Sequence, residues 1–224
     1  MTAVRLTRRD VLHLALAGTA AVALGSCAEP QTPGPPTPAF RTEPTDMSTA
    51  PRPGVLLVYF SRAGENYWEG GRRDLEVGNT ERLATMIAER IGCDVYRVEA
   101  SEPYSDDYDD TVARNVREQD RDARPGIVGE LPDTSAYDIV ILASPIWNVR
   151  PPMIMSTFAE SVPLTGRTVL PVTTHAMSGL GRSIEVYSEL APNATIGRGL
   201  AVRGEAVSDA GADVERWLAR VDLI

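Results

Sequence analysis

An α/β fold, a doubly wound parallel sheet with helices on both faces, is what this sequence predicts, and three observations carry the prediction. Apolar runs of strand length alternate with segments of helical period along residues 54–224. The runs at 55–60 and 137–143 are almost unbroken Val, Ile and Leu, the composition of central strands buried on both sides. About 170 residues without an internal repeat suit one core, and βα alternation implies parallel strands joined by crossover helices.

The elements follow in order. The strand at 55–60 stops at Ser61 and Gly64, and an amphipathic segment at 79–92 starts at Gly78-Asn79-Thr80, which offers a favoured cap residue. Between them, residues 66–77 read as an inserted excursion. A strand at 94–99 and a polar helical stretch near 105–123 lead to the strand at 137–143. Pro151 and Pro152 then suit the first turn of a helix running to 162. A strand at 167–175, a helix at 181–190, a strand at 195–204 and a helix at 208–221 complete five βα steps.

The residues ahead of this domain have another character. Arg5, Arg8 and Arg9 precede a short apolar run that closes with "LGSC", so residues 1–27 read as an export signal. The run falls short of the roughly 20 residues that a spanning helix needs. "TRRDVL" is similar to a twin-arginine signal and "LGSC" to a lipobox, in which Cys27 becomes the lipidated first residue. Residues 28–53 carry eight prolines and no apolar period, which marks a linker between membrane and domain.

Charge and composition exclude several functions. Removal of residues 1–26 takes away three Arg and one Asp, moving the net charge from −9 to −11. Such a chain repels phosphate backbones and anionic lipid, so no nucleic-acid partner is expected and membrane contact rests on the lipid. Two His, one of them in the signal, and no Cys cluster predict no metal site. With Cys27 acylated, Cys93 has no partner for an intramolecular disulfide. No G-x-S-x-G elbow supports hydrolase chemistry.

Ligands of doubly wound sheets bind beyond the carboxyl ends of the strands, where strand order reverses. Three polar loops are expected to meet there. In the first, backbone N–H groups and the hydroxyls of Ser61 and Thr80 suit an anion at a helix start, although a plain strand-to-helix turn also favours Gly, Ser and Asn. The second, stiffened by Pro145, Pro151 and Pro152, presents Trp147 from an exposed position, either to stack on a planar ligand or to cover the sheet edge. The third, "TTHAMSGLGRSIE", brings small residues and His175, which is suited to acid chemistry or to a structural hydrogen bond.

The motifs "YFSRAGEN", "VGNTERLA", "SPIWNVRPP" and "THAMSGLGRS", in this order over residues 55–224, resemble those of the flavodoxin family, in particular its branch with an insertion in the phosphate loop. The resemblance implies a flavodoxin-like five-stranded sheet of order 2-1-3-4-5 that binds FMN without a covalent bond. It implies that Ser61, Arg62, Ala63, Asn79 and Thr80 cradle the 5′-phosphate. Pro145, Ile146, Trp147 and Asn148 would flank the isoalloxazine, with Thr174, His175, Ser178 and Gly179 on a third side. The third loop lacks an aromatic, so a second stacking ring would have to be Tyr67 or Trp68.

The function so implied is a membrane-tethered FMN electron-transfer protein, exported and held as a lipoprotein on the outer face of the cytoplasmic membrane. A redox partner protein or a quinone would exchange electrons with it. At about 10 Å and an effective dielectric near 20, one carboxylate opposes a new negative charge by roughly 1.7 kcal/mol, or about 70 mV for one electron, so an acidic domain implies a low potential. The alternative is an FMN-dependent NAD(P)H:quinone reductase, in which residues 66–77 and His175 shape a site above the flavin. A third reading is an interaction module that keeps the fold without the cofactor. The acidic stretch with Asp106, Asp107, Asp109 and Asp110 reads as a solvated helical face or as a docking surface for a basic partner.

Overall fold

The structure, a computed structural model, describes residues 54–224. The expected export signal, its Cys27 and the Pro-rich linker at 28–53 lie outside the described residues. The chain enters β1 (Val55–Tyr59), turns through β2 (Gly64–Trp68) and β3 (Gly71–Leu75), and continues into α1 (Asn79–Ile91). Then come β4 (Asp94–Arg97), α2 (Tyr108–Asp120), β5 (Ile139–Pro145), α3 (Met153–Ser161), β6 (Thr168–His175) and α4 (Ser183–Leu190). It ends with β7 (Thr195–Ile196), β8 (Leu200–Arg203) and α5 (Gly211–Arg220).

The parallel sheet runs β4-β1-β5-β6, with β7 and β8 both against the outer side of β6. With β7 and β8 counted as one broken strand, this is the expected order 2-1-3-4-5. Alternate residues of the central strands feed opposite cores, because successive side chains of a strand point to opposite faces. Val55 and Leu57 with Ile141 and Ala143 pack against Leu83 and Ile87 of α1 and Val214, Trp217 and Leu218 of α5. Leu56, Val58, Val140 and Leu142 pack against Ile154, Met155 and Phe158 of α3 and Val186 and Tyr187 of α4. Cover on both faces explains why β1 and β5 read as unbroken apolar runs. Burial also pushes the thiol of Cys93, beside the α1 core, up to about 11.

Two departures from expectation have local causes. Residues 66–77 do not wander: β2 and β3 pair antiparallel around Glu69 and Gly70, whose φ values of 47° and 86° give the turn that matches strand twist. The fifth strand, expected as one run, breaks. Two residues of β6, Leu170 and Pro171, lie opposite three, Gly197, Arg198 and Gly199. Gly197 N–H donates to Val169 O, so odd-numbered residues of β6 direct their backbone groups toward this edge. Pro171 is one of them, and it has no N–H to offer there. A Cβ on Gly199 would stand 2.8 Å from Pro171 O, so the chain passes this point only as glycine.

Trp217 of α5, 3% exposed, closes the break by donating its Nε1–H to Arg198 O at 2.9 Å. Trp217→Phe keeps most of the buried ring and strands that carbonyl. We expect a loss of about 1–3 kcal/mol in urea unfolding; an unchanged midpoint would mean that the bond does not hold the edge strand.

Candidate functional site

A cleft opens beyond the carboxyl ends of β1 and β5, where strand order reverses. Its first corner joins the end of β1 to the start of α1. Gly78 caps the helix without a side-chain bond; the first-turn Glu81 N–H instead donates to Ser61 Oγ at 3.1 Å, from 20 residues earlier. A Cβ on Gly78 would fall 2.5 Å from Arg62 O and closer still to Ser61 Oγ. The Asn79 and Thr80 N–H groups have no acceptor within the helix, as at any helix start. Thr80 Oγ1 meets Thr174 Oγ1 at 2.7 Å in a buried hydroxyl pair, which ties α1 to β6 across the cleft floor.

Arg62 lines the cleft beside this corner and braces the hairpin. Its Nη1 donates to Ser105 O at 2.8 Å and Asp106 O at 3.0 Å, and its Nη2 donates to Glu65 O. Nε is buried and has no acceptor. Burial lowers the guanidinium below its ordinary value, against the pull of Asp106 and Glu65. Farther out, Arg72 of β3 lies 3.5 Å from the ring centre of Tyr108 and pairs with Asp109 at 2.8 Å, so the hairpin leans on α2.

The second loop is stiffer than its prolines alone would make it. Trp147 and Arg150 exchange backbone hydrogen bonds at 2.9 and 3.3 Å around Asn148 and Val149, both at positive φ. A β-branched residue in that region is strained; Arg182 N–H holds it by donating to Val149 O at 2.8 Å. Gln119 of α2 clamps the turn, donating to Trp147 O at 3.1 Å and accepting from Asn148 Nδ2 at 2.8 Å. The indole, expected to be exposed, is half-buried, edge-on to Phe60 at 5.5 Å and Tyr104 at 5.1 Å.

The third wall comes from the ends of β6 and β8. His175 pairs in register with Arg203, and its Nδ1 is buried without a partner. Burial first, then the Arg203 charge, lowers its basicity against the opposing pull of Glu205. Among the described residues no group of three or more His, Cys, Asp or Glu is placed to hold a metal ion.

A family profile described as Flavodoxin matches residues 75–221, about two thirds of the chain. The chain belongs to the flavodoxin family. A solved Bacteroides eggerthii protein described as a flavoprotein is 25% identical, with a TM-score of 0.59 over 76% of this chain and 99% of its own. A Bacteroides uniformis counterpart is 24% identical, with a TM-score of 0.61 over 75% and 98%. A Lactobacillus acidophilus flavoprotein, solved in complex with FMN, is 20% identical, with a TM-score of 0.51 over 72% and 99%. No curated protein matches the sequence.

In this flavodoxin-family chain, Ser61, Arg62, Asn79, Thr80, Pro145, Ile146, Trp147, Thr174 and His175 line one cleft. Four other expected residues stand apart from its lining. Ala63 borders a neighbouring hollow with Phe60 and Tyr104, and Asn148 turns to Gln119. Ser178 O accepts the Gly181 N–H, and Gly179 O accepts the Thr173 hydroxyl, so both serve the turn. The cleft adds Asn66, Tyr67, Tyr108, Ala176, Gly204 and Glu205. Tyr67 supplies an aromatic from the hairpin, while Trp68 lies outside the lining under Arg73, 4.3 Å from its ring centre. Gly204 and Glu205 were within reach of the strand-end rule, which applies to the fifth strand as much as to the others.

Proposed function

We propose that this chain is an FMN-binding electron-transfer protein of low potential, tethered to the outer face of the cytoplasmic membrane through an acylated Cys27. One observation carries the cofactor reading: the loops after β1, β5 and β6 converge on a cleft at the point of strand-order reversal. Its first corner fits a phosphate. Arg62 Nε lacks an acceptor, the N–H groups of Asn79 and Thr80 are free of helical partners, and Gly78 leaves the backbone bare.

In this reading Ser61, Asn79, Thr80 and Arg62 hold the phosphate, while Pro145, Ile146 and Trp147 flank the ring opposite Thr174 and His175. Bound FMN supplies reversible electron transfer. The protein contributes position and electrostatics. Gln119 and Arg182 fix the turn that carries Trp147. Burial and the Arg203 charge disfavour a protonated His175 beside the ring, and the net charge of −11 left after removal of residues 1–26 opposes added negative charge. The negative charge lowers the potential, and an unprotonated His175 supplies no cation to raise it. The signal supports the same picture, because a twin-arginine route carries folded proteins and allows FMN to be loaded before export.

Titration of the chain from Ala50 onward with FMN, followed by visible absorption, is expected to show one-to-one binding with a perturbed flavin spectrum. Gly78→Ala displaces Ser61 and Arg62 and weakens binding at least about tenfold, the loss of one charge-assisted hydrogen bond or more. No binding by the unaltered chain would overturn the cofactor reading. The loaded protein is expected to turn over NAD(P)H and quinone slowly without a reductase; fast turnover would instead make it a quinone reductase.

The tether is tested separately. Cys27→Ser should release the exported protein from the membrane fraction; retention there would remove the lipoprotein reading.

A further inference from the structure

Glu205 opens the 3₁₀ turn after β8, Gly204–Asp209. Its side chain is 9% exposed, and its two oxygens have different fates. Oε1 accepts the Glu69 N–H at 3.2 Å, from the tip of the β2–β3 hairpin. Oε2 is buried and has no hydrogen-bond donor, although Glu205 lines the cleft. Arg203 Nε, at 3.7 Å, gives an ion pair but is too distant to donate. A buried carboxylate oxygen without a donor is costly, so the arrangement suits a ligand that brings one.

Its position narrows the donor. A Cβ on Gly204 would lie 2.7 Å from Asn79 Nδ2, so this turn abuts the phosphate corner. Arg203, one residue earlier, pairs with His175 on the ring side. Glu205 therefore stands between the two ends of the cleft, where the segment connecting phosphate to ring must run. A phosphate offers only acceptors and negative charge; a polyhydroxyl chain offers O–H donors.

We propose that Glu205 is the hydroxyl-binding residue of the cleft: Oε2 accepts from the polyol chain of the bound cofactor while Oε1 holds the hairpin tip. The assignment rests on the FMN reading above and adds a residue to it. Because one carboxylate serves both, occupancy of the cleft and closure of the hairpin are coupled.

The test compares FMN with lumiflavin, which keeps the ring and lacks both polyol and phosphate. The full-length chain and its Glu205→Gln and Glu205→Ala variants are titrated with each, and unfolding curves of the ligand-free proteins check that all three fold. Glu205→Ala is expected to weaken FMN at least about tenfold and to leave lumiflavin within about twofold. Glu205→Gln, which keeps shape and one acceptor oxygen, should lose FMN by a smaller factor. Three results would overturn the proposal while leaving the FMN reading intact: unchanged FMN affinity in both variants, a parallel fall for lumiflavin, or tighter FMN binding by Glu205→Gln, the mark of a carboxylate that only repels phosphate. An unaltered chain that binds neither flavin would overturn both.

Discussion

The site depends on one close approach, that of Gly78 to the end of β1. Ser61 and the start of α1 are far apart in sequence, with a whole hairpin between them, yet Ser61 Oγ serves as the acceptor for the first-turn Glu81 N–H. This is possible because Gly78 has no side chain where Ser61 and Arg62 pass. The strand end and the helix start then form one polar corner. The buried Thr80–Thr174 hydroxyl pair extends it to β6, and the cleft inherits its geometry from these two ties.

The hairpin that this approach permits is itself held from three directions. Arg62 bonds backbone carbonyls on both β2 and the chain leading into α2. Arg72 contacts Tyr108 and Asp109, and Glu205 takes the N–H at the tip. The Arg72–Asp109 pair is exposed and contributes little by itself, whereas the bonds of Arg62 to Ser105 and Glu65 are half-buried. Their combined effect is to orient the hairpin over the cleft. The polar sequence of α2 gains a local role here: few of its residues are apolar and buried, but Gln119 positions the Trp147 turn. The same helix carries Asp109 and Asp110 at its exposed start, so a face that reads as solvated also supports the hairpin.

Much of the architecture was legible because burial writes itself into composition. Strands covered on both faces must be apolar throughout, and β1 and β5 are. The Gly78-Asn79 boundary of α1 was legible too, though its capping group was not, because Ser61 arrives from a distant part of the chain. The hairpin had a local signal in Gly70 and Gly71 that was overshadowed by its polar strands; with β2 and β3 pairing only each other, neither needs an apolar run. The broken fifth strand follows from Pro171 and the Gly197-Arg198-Gly199 segment together, a relation between two strands that neither displays alone. Glu205 carries no distinguishing pattern. Its meaning comes from where the turn after β8 sets it.

In the proposed function the β1–α1 corner anchors its ligand by a phosphate. The most direct test is a side-by-side titration of the protein with FMN and riboflavin, which share ring and polyol and differ in that one group. A corner built from Ser61, Arg62, Asn79 and Thr80 predicts that FMN binds at least about a hundredfold more tightly, the sum of two or more charge-assisted hydrogen bonds. Equal affinities would contradict it and move the anchor elsewhere in the cleft.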